Sequence, residues 1–267
     1  MQSTNARSLC PDVKDWLANS RHPRVLHVFE RACNLINERR EVLSIVTTRI
    51  GNGPFNLVVE DEICFHDSLN LESCVSISPT QVTLGSLTVH TKNAKLWHPR
   101  PDWESLHSRR DNIFNQLILL PIANYRPFLP QSLRKASNLS SVLVNADISS
   151  ARKVTSELAG LGIGLTPAGD DLIMGAIYAV WIIHPLKIAS ILAQEVADTA
   201  APLTTSLSAA WLRSAGRGEA GILWHEFFDA LVSGDASRIQ ETMKNILAVG
   251  ETSGADALVG FISVFLS

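Results

Sequence analysis

Two adjacent aspartates within a glycine-rich segment are the residues of this chain best suited to chemistry. The segment reads GLGIGLTPAGDDLIMG over residues 160–175. Thr166 can cap a helix and Pro167 suits the first helical position, so the spacing predicts a helix start here. Asp170 and Asp171 then fall in the first turn, where negative charge opposes the helix dipole. The glycines that allow positive φ angles and close approach of another group are Gly160, Gly162, Gly164 and Gly169.

A second copy of part of this pattern occurs near the end of the sequence. Residues 169–175 read GDDLIMG and residues 254–260 read GADALVG, so both fit G-x-D-x-x-x-G. Each begins an apolar stretch with helical character, the second one starting near Thr252. A third cluster, Thr204-Thr205-Ser206, offers hydroxyl groups at another predicted helix start. If these three helix starts converge, they line one shared pocket.

Such a pocket would combine two opposed chemical preferences. Backbone N–H groups and hydroxyls at helix starts favour an anion such as carboxylate or phosphate. Aspartates repel a bare anion, so they call for a cation such as Mg²⁺ or for the N–H groups of an amide or ureido ligand. The predicted catalytic residues are Asp170, Asp171 and Asp256. The predicted ligand-binding residues are Gly162, Gly164, Thr166, Pro167, Gly169, Thr205, Ser206, Ser253 and Gly254.

Simpler interpretations of the same residues remain open. First-turn aspartates often only cap a helix, and a short match can arise by chance in a sequence rich in alanine and glycine. The segment is not a phosphate-binding GxxxxGK[ST] loop, since no lysine follows, and it fits a dinucleotide fingerprint poorly. No nucleophile–base pair, metal-ligand set or organic-cofactor motif is evident, so any catalysis would depend on positioning and electrostatics.

Composition excludes several classes of protein. The net charge is −3 and the basic residues are scattered, which predicts no nucleic-acid-binding face. The four cysteines are widely spaced without a CxxC pair, so neither a zinc site nor a disulfide framework is indicated. The longest apolar run, over residues 172–183, is shorter than the roughly 20 residues that span a bilayer. Because the N-terminus has no apolar signal core, we expect a cytoplasmic protein without a membrane segment.

The predicted architecture is α+β, with an N-terminal helix plus a small β-rich domain in residues 1–101. Residues 12–37 have helical spacing in two pieces, broken near His22-Pro23. Residues 41–60 are rich in β-branched side chains around a GNGP turn, which predicts a hairpin. Short strands follow over residues 74–78, 82–84 and 87–91, with Gly85-Ser86 as a turn.

Residues 102–267 are predicted to form a larger, all-helical bundle domain. Alanine, leucine and isoleucine dominate this part, and short loops with glycine or proline separate the segments. Three prolines in residues 121–130 predict an extended connection over residues 122–145. The predicted helices cover residues 103–120, 149–161, 172–181, 188–200, 205–215, 222–233, 236–248 and 255–266.

The motifs of this chain resemble those of a known bacterial family. GLGIGLTPAGDD resembles the G-x-G-L-T-P-[SA]-G-D-D core of a domain of unknown function, whose members include the smallest subunit of the oxamate carbamoyltransferase complex of allantoin fermentation. Ala168 stands where that family often has a serine, which removes one candidate hydroxyl contact. Further segments in the expected order are HVFERACNLIN, GNGPFNLVV, AKLWHPRP, TTSLSAAWLRSAGRGE and GETSGADALVGF.

The resemblance implies a role in purine or allantoin catabolism. The related complex interconverts carbamoyl phosphate plus oxamate with oxalurate plus phosphate, and it has partners related to acyl-CoA synthetase subunits. Our leading hypothesis is therefore a carbamoyltransferase subunit that works in a hetero-oligomer on a small carboxylate or phosphate substrate. Two alternatives remain: a non-catalytic subunit that senses or scaffolds through a small carboxylate, and aspartates that serve only as helix caps.

Overall fold

The computed structural model describes residues 2–118 and 138–267, which form two compact units. The first unit is Met1–Pro99 and the second is Arg100–Ser267. The first is rich in strands and the second in helices, which fits the predicted α+β class. The prediction of two domains over residues 1–101 and 102–267 remains a prediction, because compactness alone does not show that each unit folds by itself.

A mixed sheet of nine strands forms the framework of the first unit. The strand order is β2-β3-β4-β5-β1-β8-β7-β6, with β9 also paired to β1. The helix of this unit, α1 (Pro11–Asn19), packs Val13, Trp16 and Leu17 into the main core under the sheet. The strands are β1 (Gln2–Leu9), β2 (Arg24–Val28), β3 (Ala32–Ile36), β4 (Val42–Val46), β5 (Asn56–Val59), β6 (Val75–Ser78), β7 (Gln81–Leu84), β8 (Leu87–His90) and β9 (Lys95–Leu96).

Strand β1 joins the two halves of this sheet. Its first half, Gln2 to Asn5, pairs in parallel with β8. Its second half pairs antiparallel with β5, and the register shifts between Ala6 and Ser8. One strand therefore links the meander β6-β7-β8 to the group β2-β3-β4-β5, although the sequence pattern did not predict this strand.

The predicted second helical piece of residues 12–37 is wrong. Residues 24–28 and 32–36 are instead the antiparallel strands β2 and β3. Strand β3 is buried on both faces, since Cys33 and Leu35 join the main core while Ala32 joins a small cluster on the other side. A strand that is buried on both faces loses the alternation of polar and apolar residues, and its apolar run then imitates helical spacing.

The predicted hairpin over residues 41–60 is wrong in its pairing. Both strands exist as β4 and β5, but they run parallel, with Ser44 opposite Asn56. The chain turns directly after β4, where the N–H of Gly51 donates to the carbonyl of Thr47 at 3.2 Å. It then returns to the start of β4, so GNGP belongs to a crossover and not to a hairpin turn. The turn predicted at Gly85-Ser86 is present between β7 and β8.

The second unit contains helices close to those predicted. The predicted helix over residues 103–120 is broken at Arg109, and its last two residues lie outside the described part. The predicted extended connection is wrong for residues 138–144, which are helical, and residues 122–137 lie outside the described part. The helices are α2 (Trp103–Ser108), α3 (Arg110–Ile118), α4 (Asn138–Val144), α5 (Ile148–Leu158), α6 (Ala168–Ile183), α7 (Leu186–Ala200), α8 (Ser206–Gly216), α9 (Ile222–Ser233), α10 (Ala236–Leu247) and α11 (Ser253–Phe265).

Helices α6 and α11 make a reciprocal close contact in the centre of this unit. A Cβ added at Gly175 would stand 1.8 Å from the carbonyl oxygen of Ala257, and one added at Gly260 would stand 2.0 Å from that of Leu172. Leu172 and Ala257 each follow the aspartate of their own G-x-D-x-x-x-G motif. The two copies of the motif therefore contact each other around a local two-fold axis, and the missing side chains let the backbones approach.

We predict that Gly175→Ala or Gly260→Ala lowers the free energy of unfolding by about 3 kcal/mol, because the new methyl group meets a backbone carbonyl that cannot move alone. Urea denaturation of the full chain measures this. Gly164→Ala is the matched control: its Cβ meets no atom within 4 Å. Only its backbone conformation, with φ at 96°, should cost free energy, about 1 kcal/mol. Equal losses at the three positions would contradict the close-contact explanation.

Candidate functional site

Helix α6 begins one residue later than the sequence predicts. Pro167 occupies the N-cap position and no side chain caps the helix, so the expected cap by Thr166 is wrong. The Thr166 hydroxyl instead shares a 2.8 Å hydrogen bond with the hydroxyl of Ser253, the first residue of α11. Asp170 and Asp171 lie in the first turn of α6, as predicted.

The glycine-rich segment folds back onto the start of α6. Gly162 has a φ of 129°, and a Cβ there would lie 2.7 Å from the backbone nitrogen of Ala168. Gly164, by contrast, is exposed and has open space around it. Of the glycines predicted to bind a ligand, Gly162 therefore packs against the helix start and Gly164 faces outward.

Asp170 fastens this segment to α8. Its Oδ1 accepts a 2.8 Å hydrogen bond from the backbone N–H of Gly160. Its Oδ2 accepts from the hydroxyl of Thr204 and, at 2.8 Å, from that of Ser208. The side chain is buried and both of its oxygens are engaged within the protein, so Asp170 has a positioning role in this arrangement.

Thr205 makes a second connection between the same elements. It caps α8 by accepting a 3.1 Å hydrogen bond from the N–H of Ser208, and its hydroxyl donates to the carbonyl of Leu165 at 2.5 Å. Ser206 is the first residue of α8. The starts of α6, α8 and α11 therefore lie together, joined by hydroxyl and carboxylate hydrogen bonds.

In both α6 and α11, the backbone N–H of the second residue donates a hydrogen bond to a carbonyl of the preceding segment. The N–H of Gly169 donates to the carbonyl of Leu161 at 2.8 Å, and the N–H of Gly254 donates to that of Val249 at 3.1 Å. These two predicted ligand-binding glycines consequently donate to the protein itself. Hydroxyl and carboxyl groups, more than backbone amides, form the polar part of this site.

Asp171 and Asp256 occupy equivalent places, each as the fourth residue of its helix. Only 6% of Asp171 and 2% of Asp256 is exposed. The Oδ2 atom of each has no hydrogen-bond partner among residues 2–118 and 138–267. Because nearly all buried polar atoms in proteins are hydrogen-bonded, two unpartnered carboxyl oxygens on paired helices need an explanation.

Burial raises the pKa of Asp171 to about 8, and the nearby charges of Asp256 and Asp170 add to this increase. Hydrogen bonds from Ser253 and Thr166 lower the pKa of Asp171 in part. Burial also raises the pKa of Asp256, against a hydrogen bond from Thr252. Two neighbouring buried carboxyls resist double ionisation, so the pair holds a proton near neutral pH.

This pair can therefore donate and accept hydrogen bonds at once. A protonated carboxyl donates an O–H, while an ionised one accepts N–H or O–H groups. The positive ends of the dipoles of α6 and α11 lie beside it and favour negative charge in a ligand. The arrangement suits a small polar molecule with an N–H group and a negatively charged end.

Sequence reasoning did not identify the residues that hold Asp170. Thr204 enters the sequence-based prediction only as part of a hydroxyl cluster, and Ser208 and the amide of Gly160 are absent from it. The available signal was TTSLS, in which three of the five residues bind or cap near the glycine-rich segment. Within the described residues, no group of three or more His, Cys, Asp or Glu side chains is arranged to hold a metal ion.

Comparison with known protein families covers most of the chain. Residues 158–265 match the family described as oxamate carbamoyltransferase subunit AllH, and residues 5–96 match the AllH family N-terminal domain. The chain belongs to the AllH family. The first match spans the glycine-rich segment, α6, α8 and α11, so it includes every element of the candidate site.

Membership in the AllH family supports a carbamoyltransferase-type subunit with protein partners in a complex. No solved structure has significant similarity to this AllH chain. In the part of the chain that the structure describes, none of the helices has the length and apolar character needed to cross a membrane.

We predict that substitution of the two adjacent aspartates of this AllH chain has unequal effects on stability. Asp170→Asn replaces an acceptor of three hydrogen bonds with a group that can accept fewer, which should lower the free energy of unfolding by about 3 kcal/mol. Asp171→Asn exchanges a buried carboxyl that holds its proton near neutral pH for a neutral amide of the same size, and it should change stability by less than about 1 kcal/mol. Urea denaturation at pH 7 measures both, and the reverse order would contradict the assigned roles.

The pKa of Asp171 also predicts how stability depends on pH. Its ordinary value is 3.8 and its folded value is about 8, so the folded state binds the proton more tightly than the unfolded state. The stabilisation from this proton is complete below about pH 4 and is lost as pH rises through 8. Between pH 5 and pH 9 the free energy of unfolding of the wild type should fall by at least about 1.4 kcal/mol relative to that of Asp171→Asn. This lower bound is the free energy that corresponds to a shift of one pKa unit. Parallel stability curves for the two proteins would show that Asp171 does not titrate in this way.

Proposed function

We propose that this chain is a subunit of an oxamate carbamoyltransferase-type enzyme and that its α6–α11 site binds the small substrate. Family membership supports the enzyme class, and the paired carboxyls support a site for an amide-bearing anion. The single observation that carries the site is the pair of unpartnered oxygens on Asp171 and Asp256, buried at equivalent positions of two joined helix starts.

Substrates of this reaction type supply the groups that the site lacks. Oxamate and carbamoyl phosphate each combine an N–H-bearing amide with a carboxylate or phosphate. The carboxyls of Asp171 and Asp256 complement the amide end. The two helix dipoles complement the anionic end, and so do the hydroxyls of Thr166 and Ser253 once their O–H groups rotate away from Asp171. A buried site of this kind contributes to catalysis by holding the reacting groups in place and by electrostatic stabilisation.

The predicted site residues divide into four groups in this proposal. Asp171, Asp256, Thr166 and Ser253 contact the substrate, and Asp170 and Thr205 position the glycine-rich segment. Pro167, Gly169 and Gly254 set the helix starts, and Ser206, Gly162 and Gly164 lie at the edge of the site. If Mg²⁺ takes part in the assembled enzyme, the carboxyls of Asp171 and Asp256 would hold it, and it would offset the negative charge of a phosphate.

The proposed enzyme is a cytoplasmic hetero-oligomer. An AllH subunit implies protein partners, and we expect these to be related to acyl-CoA synthetase subunits. These partners would supply the reacting groups that this chain does not provide, so turnover should require this chain together with its partners.

The test is phosphate-dependent cleavage of oxalurate by this chain with and without the products of its neighbouring genes. We expect activity only in the assembled complex, and we expect Asp256→Asn to lower kcat by about 100-fold, similar to removing one electrostatic contact to a transition state. Glu251→Gln removes an exposed acid close to the start of α11 and should leave kcat unchanged.

Two outcomes would redirect the proposal. No turnover in any combination of folded proteins would reject the assigned substrates. Full turnover by the Asp256→Asn complex, together with an altered response to added oxamate, would favour the regulatory subunit, because the site would then bind a metabolite without taking part in the reaction.

A further inference from the structure

The two acids at the starts of α6 and α11 form a symmetric pair. The reciprocal contacts of Gly175 with Ala257 and of Gly260 with Leu172 fix the helices at the same level. Asp171 and Asp256 stand four residues before these glycines in both motifs, so the local two-fold axis relates the two carboxyls. Both keep one oxygen unpartnered among the described residues.

The surroundings of this pair restrict which ligand group can satisfy it. The charged groups that act on Asp171 within the described residues are the carboxyls of Asp256 and Asp170, with no cation among them. Asp170 is already engaged by Gly160, Thr204 and Ser208. Like charges in a buried place disfavour double ionisation, so the natural complement is a group that both donates and accepts a hydrogen bond.

We propose that Asp171 and Asp256 together bind the primary carboxamide edge, –CO–NH₂, of the ligand, one carboxyl accepting an N–H and the other donating its O–H to the carbonyl oxygen. This assignment rests on the proposed function and specifies which end of the substrate the pair recognises. Carbamoyl and carboxamide groups have this edge, whereas a carboxylate or a methyl ketone lacks the N–H.

The same contact gives the pair a part in the reaction. When the nitrogen of oxamate forms a bond to the carbamoyl carbon of carbamoyl phosphate, the carbon–oxygen bond to phosphate breaks and phosphate leaves with the electron pair. The nitrogen must lose one proton. The ionised carboxyl that accepts its N–H can take that proton and later release it to water, so atoms and charge balance.

Asp171 is the member assigned to carry the proton in the free site. Its pKa is about 8, and the cause is chiefly burial. The amide of an asparagine donates N–H groups in the place of a carboxylic O–H, so Asp171→Asn should imitate the protonated side chain. At the acceptor, Asp256, an asparagine would offer only a neutral carbonyl, so it would lose the charge-assisted hydrogen bond and the capacity to take a proton.

The experiment is calorimetric titration of the full chain with oxamate and with pyruvate, which has the same charge and a methyl group in the place of –NH₂. We expect the wild type to bind oxamate at least tenfold more tightly than pyruvate at pH 7, because a hydrogen bond to a charged group is lost with pyruvate. Between pH 7 and pH 9 the affinity for oxamate should fall at least fivefold in the wild type.

The variants separate the two roles. Asp171→Asn should keep the affinity for oxamate within threefold of the wild type at pH 7 and lose its dependence on pH. Asp256→Asn and Asp171→Ala should each bind oxamate at least tenfold more weakly, with the preference over pyruvate abolished. Glu251→Gln should behave as the wild type, and urea denaturation confirms that each variant is folded.

Several results would overturn the inference. Equal affinity of the wild type for oxamate and pyruvate would remove the carboxamide contact, as would an unchanged preference in folded Asp256→Asn. Absence of oxamate binding by the wild-type chain would also overturn it. The turnover assay of the assembled complex judges the subunit assignment separately, so either idea can fail without the other.

Discussion

The close contact between α6 and α11 is the constraint on which the site depends. At Gly175 and Gly260 a backbone carbonyl of the other helix occupies the space that a side chain would need. The absence of these side chains lets the helix axes come close together. This proximity places two acids side by side at the helix starts, away from water, where their ionisation becomes coupled. Larger residues at these glycines would separate the helices and leave each aspartate as an ordinary first-turn acid.

Asp170 and Asp171 illustrate how neighbours in sequence acquire different chemistry. Asp170 is surrounded by donors, namely one backbone amide and two hydroxyls, so its charge is satisfied by the protein. Asp171 points toward α11 and meets another acid, with one of its oxygens unpartnered in the described residues. A helix turns about 100° per residue, so adjacent side chains necessarily face different partners. Asp170 is thus engaged within the protein, and Asp171 keeps an oxygen that no described residue satisfies.

The sequence was informative where the pattern was local. Helix positions in the second unit follow from their apolar period, and the repeated G-x-D-x-x-x-G motif pointed to two related helix starts before their contact was known. The pairing of strands from distant segments could not be predicted from such a local pattern. Strand β3 is buried on both faces and imitates a helix, and β4 and β5 have hairpin-like spacing although they are parallel. The roles of Thr204 and Ser208 depend on how α8 meets the glycine-rich segment, a contact between residues far apart in sequence.

The position of β1 has a consequence for how the first unit is made during synthesis. This strand leaves the ribosome before its neighbours, yet its partners β5 and β8 end at Val59 and His90. A nascent chain that stops short of β8 therefore has one edge of β1 unpaired, and such edges favour pairing with other chains. Pairing of β1 with β8 must wait until translation reaches His90, so this edge of the new chain stays open to aggregation until β8 emerges.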